Sequence, residues 1–149
     1  MRGTEAMLAL LATTAQASPL LPKRITPLPP GSTRPAGWVE DQLSLQAAGL
    51  TGQLPDFWNY LVDSAWLGGR GFKPPNQFVP YYLNGLVPLS FQLPGDARLT
   101  EIRERMVGEI LDRQANGTSG WLGPDVVDPE DLFSKYPAVE ALAQSGGGA

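Results

Sequence analysis

Apolar positions recur at helical spacing along this 149-residue chain, between blocks of glycine and proline. Val39, Leu43, Ala47 and Leu50 stand four, four and three residues apart, which predicts a helix over about 37–50. Glu40 and Asp41 fall in its first turn, where carboxylates suit the helix dipole, and Gly52 reads as its stop. A second helix is predicted over about 55–67. Pro55 suits its first position, and Phe57, Trp58, Leu61, Val62, Ala65 and Trp66 form its apolar stripe. Gly68-Gly69 ends it, with Ser64 placed to hydrogen-bond back to the backbone.

The third segment, about 80–93, is apolar nearly all round: Tyr81, Tyr82, Leu83, Leu86, Val87, Leu89, Phe91 and Leu93. A helix of this kind is buried. Pro88 opposes it, because an interior proline costs ~3 kcal/mol or kinks the helix. A buried strand is the competing reading, and length favours helix. The fourth helix has Asp96 as cap and Leu99, Ile102, Met106, Val107, Ile110 and Leu111 on one face. Glu101–Arg105 and Glu109–Arg113 are favourably ordered pairs, each worth about 0.2–0.5 kcal/mol, and Asn116-Gly117 ends the helix. A fifth piece, about 129–143, carries Leu132, Phe133, Tyr136, Val139 and Leu142 and is interrupted by Pro137. No segment alternates with strand period and no repeat is visible, so the fold class is all-α. The apolar third helix needs neighbours on every side, more than four helices of this length readily supply. The chain is therefore expected to be part of something larger.

Residues 1–17 read as a signal peptide. Arg2 gives a weak positive start, Met7 to Ala12 an apolar run, and Ala15-Gln16-Ala17 a cleavage site before Ser18. The run is far short of the ~18–20 residues of a membrane span, so a secreted protein is expected. The proline-dense stretch 18–36 is an extended lead-in. Its Lys23-Arg24 pair is either a dibasic processing site or two solvated charges. The helical part is expected over 37–143 and a flexible Gly-rich tail over 144–149. Asn116-Gly117-Thr118 is an N-glycosylation sequon, which fits secretion.

Composition narrows the chemistry. Gly 17 and Pro 15 are high, yet 42% hydrophobic residues keep the chain in the globular class. The net charge is −4, and no block of Lys or Arg offers a basic face to nucleic acid. The chain holds no Cys and no His. Disulfides, a thiolate nucleophile and zinc–cysteine sites are excluded, as are serine–histidine and cysteine–histidine catalysis within this chain.

Certain strings are more particular than generic helix. They are Leu28-Pro-Pro-Gly-Ser-Thr-Arg-Pro-Ala-Gly-Trp38, Asp41-Gln-Leu-Ser-Leu-Gln-Ala-Ala-Gly-Leu-Thr-Gly52, Phe57-Trp58 and Asp63-Ser-Ala-Trp-Leu-Gly-Gly69. Pro80-Tyr-Tyr-Leu-Asn-Gly-Leu-Val-Pro-Leu89 and Gly120-Trp-Leu-Gly-Pro124 follow. In this order, over about 28–124, the chain resembles the N-terminal part of the beta-L-arabinofuranosidase (glycoside hydrolase family 127-like) family, in its secreted fungal-type branch. The resemblance implies an (α/α) toroid of helical hairpins, here partial, and carbohydrate of the L-arabinofuranosyl type as ligand. It also implies a zinc-bound cysteine nucleophile and a nearby glutamate, both in a later part of the family's chain. This sequence ends before that part and has no Cys. No catalytic residue and no cofactor are therefore assigned here, and a fragment inactive alone is the expectation. The alternative is a free-standing secreted helical protein that binds sugar or a partner without catalysis. Phe133-Ser-Lys-Tyr-Pro137 looks like a version of a family string that opens a further helix.

The loops at one end of such a toroid line the pocket, which makes Asp63, Trp66, Tyr81, Tyr82, Asn84 and Trp121 the candidate substrate-binding residues. Trp and Tyr faces stack on sugar C–H faces, and Asp63 and Asn84 hydrogen-bond hydroxyls. The competing reading places the aromatics in the core. Family members often carry Asp at the position of Asn84, so no carboxylate role is transferred to it. Asp125, Asp128, Glu130 and Asp131 form an acidic run without the calcium-loop pattern. It reads as a solvated face or a helix start. Asp56 and Asp63 lie two helical turns apart, about 10 Å by helix rise. That spacing is at the upper limit for an inverting acid–base pair, against the plainer reading of a cap and a hydroxyl binder.

Overall fold

A computed structural model describes residues 26, 28–70, 77–117, 122–124 and 131–146. Every element among them is helical. In chain order they are α1 (Trp38–Ala48), α2 (Leu50–Phe57), α3 (Asn59–Val62), a 3₁₀ turn (Ala65–Leu67), α4 (Phe78–Gln92), α5 (Ala97–Asn116) and α6 (Asp131–Gly146). The signal-peptide segment 1–17, residues 18–25 and 27 of the lead-in, Trp121 and residues 147–149 lie outside the described residues, as do Asp125, Asp128 and Glu130.

The apolar third segment is the central helix. Val79, Leu83, Leu86 and Val87 of α4 are fully buried, and Leu89 and Ser90 nearly so. Helix α6 lies along α4 in the most extensive contact of the fold, α5 packs on another side, and α1, α2 and α3 touch it elsewhere. These helices bury most of the apolar positions of α4, Phe78 and Tyr81 staying partly exposed, which the sequence pattern alone did not anticipate. Pro88 stays inside α4, so the strand alternative falls away.

Helix α5 follows its pattern closely. Asp96 caps it, its carboxylate accepting from the Leu99 N–H at 3.0 Å, and Leu99, Ile102, Met106 and Ile110 are buried. Leu111 is 44% exposed, one step past the buried face. The expected ion pairs shift by one turn: Arg105 meets Glu109 at 3.8 Å, and Arg113 lies over the backbone of Gly68. Arg103 fastens α5 to α4, its guanidinium 4.5 Å from the centre of the Phe91 ring. It also donates to the Ser90 hydroxyl at 3.1 Å, which in turn donates to the Val87 carbonyl at 2.7 Å.

The first two helices depart from the pattern. Helix α1 ends at Gly49, whose N–H bonds to the Leu45 carbonyl, and α2 starts at once. Gly52 is therefore no stop but a buried residue within α2. A Cβ there would land on the Ala47 carbonyl oxygen, so only glycine lets α2 fold back this tightly on α1. Leu50, expected on the buried face of the first helix, opens α2 and is 70% exposed. The predicted helix over 55–67 is instead three pieces, because Trp58 takes an extended conformation (φ −99°, ψ 96°) that breaks it.

Pro55 in α2 has a further consequence. It has no N–H to give the Thr51 carbonyl four residues back, and the Tyr82 hydroxyl of α4 donates to that same oxygen at 2.6 Å. One phenol thus satisfies a carbonyl that the proline orphans. Beside it, Arg98 of α5 donates to the Gly52 carbonyl at 2.8 Å and pairs with Asp56.

Helix α6 turns a different face inward from the one its large side chains suggest. Ala138 and Ala141 are fully buried, while Tyr136 is 76% and Val139 54% exposed. Small residues let α6 approach α4 closely, Tyr136 and Val139 point away, and Leu142 packs partly against the core. The helix runs on through Gly146, so residues 144–146 are helical rather than part of a loose tail.

Candidate functional site

Asp63 and Trp66 lie in the stretch 58–70 after α2, which is built from short turns, while Tyr81, Tyr82 and Asn84 lie on α4. Trp58, leaving α2, serves as the N-cap residue of α3, its carbonyl accepting from the Leu61 N–H at 2.9 Å. Asp63 closes α3, donating its N–H to the Asn59 carbonyl at 2.9 Å. Ser64 is bonded back as its position suggested, its hydroxyl accepting from the Trp66 N–H at 3.3 Å. The chain then returns, with the Gly69 N–H reaching the Ser64 carbonyl at 2.8 Å. The Arg70 N–H donates to the Asp63 carboxylate at 3.2 Å.

This loop drives Trp66 into the core, where it is 1% exposed. Gly123 lies flat against its ring, in a left-handed conformation (φ +85°), and a Cβ would come within 2.5 Å of the indole. Trp66 is thus a plug that fixes the loop, with its ring faces occupied by protein. Tyr82 is likewise a core residue, 9% exposed, and its hydroxyl is committed to Thr51. Burial pushes its phenol well above the ordinary tyrosine range, against the opposing pull of Arg98 and Arg105.

Asp63 and Tyr81 reach solvent, Tyr81 with 46% of its surface exposed. Asn84 is half-buried on α4. The six candidates therefore do not converge on one pocket: two are core, two are exposed, Asn84 lies between, and Trp121 is outside the described residues. Asp56 and Asp63 do not share a helix face, because Trp58 separates α2 from α3, and Asp56 is held by Arg98. Asn116 is the last residue of α5, exposed, its side-chain amide donating to the Asp112 carbonyl at 2.8 Å.

What the sequence pattern missed is an aromatic surface beside Asp63. Trp58 and Phe78 meet edge to face with centroids 4.9 Å apart and planes at 74°. Tyr60 leans on both rings at 5.9 Å, tilted 60° to Trp58 and 48° to Phe78. Tyr60 is 49% and Phe78 37% exposed. Tyr81 follows Phe78 by one turn of α4, on the same side. The signal lay in Phe57-Trp58-Asn59-Tyr60, but a continuous helix through this stretch hid it.

A cleft of about 660 Å³ lies elsewhere, between the lead-in, α1 and the α4–α5 turn. Arg34, Glu40, Ser44, Gln92 and Asp96 line it, and none of the candidate residues does. Among the described residues no group of His, Cys, Asp or Glu gathers as a metal site, and no helix is long and apolar enough to cross a membrane. Compared with known proteins, the chain matches no family model, no curated protein and no solved structure.

Proposed function

We propose that this chain is the N-terminal helical part of a secreted glycoside hydrolase of the beta-L-arabinofuranosidase type. It forms part of an (α/α) toroid and contributes carbohydrate contacts rather than the catalytic group. The observation that supports this best is the half-exposed aromatic surface of Tyr60, Phe78 and Tyr81 beside the exposed Asp63. Partly exposed rings near a hydrogen-bonding side chain suit a ligand that is apolar on one face and hydroxylated at its edge. The ordered strings from Leu28 to Pro124 direct the choice of sugar toward L-arabinofuranosyl glycans. The zinc-bound thiolate that the resemblance implies has no counterpart in a chain without Cys.

A second reading, a free-standing secreted carbohydrate-binding protein, is favoured by one observation. Val79, Leu83, Leu86 and Val87 of α4 are already buried under the helices that pack on it, so the chain holds a core of its own.

The experiment is an assay of the purified chain against oligosaccharides bearing L-arabinofuranosyl groups. Both readings predict binding without release of arabinose. Release of arabinose would overturn the non-catalytic assignment, and absence of binding would overturn the carbohydrate assignment.

A further inference from the structure

Asparagine stands before glycine twice in the chain, at Asn84-Gly85 and at Asn116-Gly117. In such a pair the backbone nitrogen of the glycine can attack the side-chain carbonyl carbon of the asparagine, because no Cβ hinders the approach. The two dipeptides are equivalent in sequence and differ in the fold. Attack needs a glycine nitrogen that can lose its proton and an asparagine backbone free to leave the helical conformation.

Asn84 is half-buried within α4, beside the fully buried Leu83 and Leu86. An interior helical N–H such as that of Gly85 is bonded to the carbonyl four residues back. Turning Asn84 out of the helix would unseat the central element of the core. Asn116 is instead the exposed last residue of α5, and Gly117 beyond it is exposed and extended (φ −76°, ψ 144°). Helices α1 and α4 each close with an N–H from the residue that follows, Gly49 to the Leu45 carbonyl and Leu93 to the Leu89 carbonyl. Helix α5 lacks that bond: none of the described residues accepts from the Gly117 N–H. The side chain of Asn116 is held only by its own amide, which donates to the Asp112 carbonyl at 2.8 Å on the same exposed turn. Fraying of one terminal turn releases it, and helix ends open at little cost.

We propose that Asn116 is a site of spontaneous deamidation in the folded chain, and that the core protects Asn84 from the same reaction. The Gly117 nitrogen gives its proton to solvent base and bonds to Cγ of Asn116. The Cγ–Nδ2 bond breaks, and the amide nitrogen takes a proton from water and leaves as ammonia. Water then opens the cyclic imide at either carbonyl, which yields an aspartyl linkage or an isoaspartyl linkage that routes the main chain through the side chain. The net reaction consumes water and releases ammonia. Both products carry a carboxylate at position 116. A carboxylate has no proton to donate to the Asp112 carbonyl, and it stands at the negative end of α5, one turn from Asp112. The reaction also removes the acceptor of the Asn116-Gly117-Thr118 sequon, so a glycan and deamidation exclude each other at this residue.

The test is a timed incubation of the full unglycosylated chain at mildly alkaline pH in water enriched in heavy oxygen. Peptide mass spectrometry reads each site, since trypsin cuts between them at Arg113. In the folded chain Asn116 should take up heavy oxygen and convert about tenfold faster than Asn84 or more, because opening a helix end costs far less than opening the core. In concentrated urea, where neither site is protected, the two rates should agree within about threefold. Gly117→Ala keeps the sequon and places a Cβ 3.1 Å from the Arg113 carbonyl oxygen. It should slow Asn116 about tenfold through the added Cβ, with circular dichroism showing that the helices are retained. An Asn116 that stays unlabelled in the folded chain, equal conversion of Asn84 and Asn116 there, or wild-type conversion in the Gly117→Ala chain would each overturn the proposal.

Discussion

Single residues in this protein repair faults that other residues introduce. Pro55 leaves the Thr51 carbonyl without its helical donor, and the Tyr82 hydroxyl supplies one at 2.6 Å. Tyr82→Phe keeps the ring and removes the donor, so a part-buried carbonyl is left unpaired. Destabilisation of about 1–3 kcal/mol is expected, read from urea unfolding. The same residue gives the stability an alkaline limit. Its folded pKa lies above the unfolded value of about 10, so above that pH the unfolded chain loses a proton that the folded chain keeps. Fewer protons on the unfolded state mean stability falls as pH rises. Below about pH 10 the contribution is fully present, and Tyr82→Phe should flatten the decline. Gly52 is the other critical residue. Gly52→Ala forces a Cβ onto the Ala47 carbonyl oxygen, and a loss of about 1–3 kcal/mol is expected from the overpacked α1–α2 corner.

At the scale of elements, the two faces of α6 make opposite predictions. Ala141→Leu places a large side chain in the close α4–α6 contact and should cost about 1–3 kcal/mol. Val139→Ser, on the exposed face, should change stability by no more than about 0.5 kcal/mol. Thermal melts of the two variants check this, and equal shifts would mean that α6 is turned the other way. This helix also shows where sequence reading stops. In α5 the large apolar side chains and the buried face coincide, so Leu99, Ile102, Met106 and Ile110 were legible from spacing alone. In α6 the helix was legible but its orientation was not, because Ala138 and Ala141 carry too little hydrophobicity to outweigh Tyr136 and Val139 in a pattern. The stretch from Pro55 to Leu67 failed for a different reason. Its apolar residues fit helical spacing, while the chain breaks at Trp58, whose ring packs on Phe78 of α4, a contact distant in sequence. The aromatic surface was hidden by that break. Trp66 and Tyr82 were legible as aromatic residues at element ends, and only their packing shows that their faces are occupied.

On the scale of the whole molecule, the described helices form one body around α4, with the aromatic surface at the end where α3 meets the start of α4. In a secretory host the chain should emerge beginning at Ser18 and carry a glycan at Asn116, an exposed position at the end of α5. Mass spectrometry checks both, and Asn116→Gln should remove the glycan. An unmodified chain that retains Met1 would contradict the secretory reading. The proposed function puts a saccharide on the surface of the α3–α4 junction. The most direct measurement is nuclear magnetic resonance of the aromatic side chains during titration with arabinotriose. The account predicts that Tyr60, Phe78 and Trp58 resonances move with saturation while those of the buried Trp66 and Tyr82 stay in place. No shift of the Tyr60, Phe78 and Trp58 resonances across the titration would contradict it.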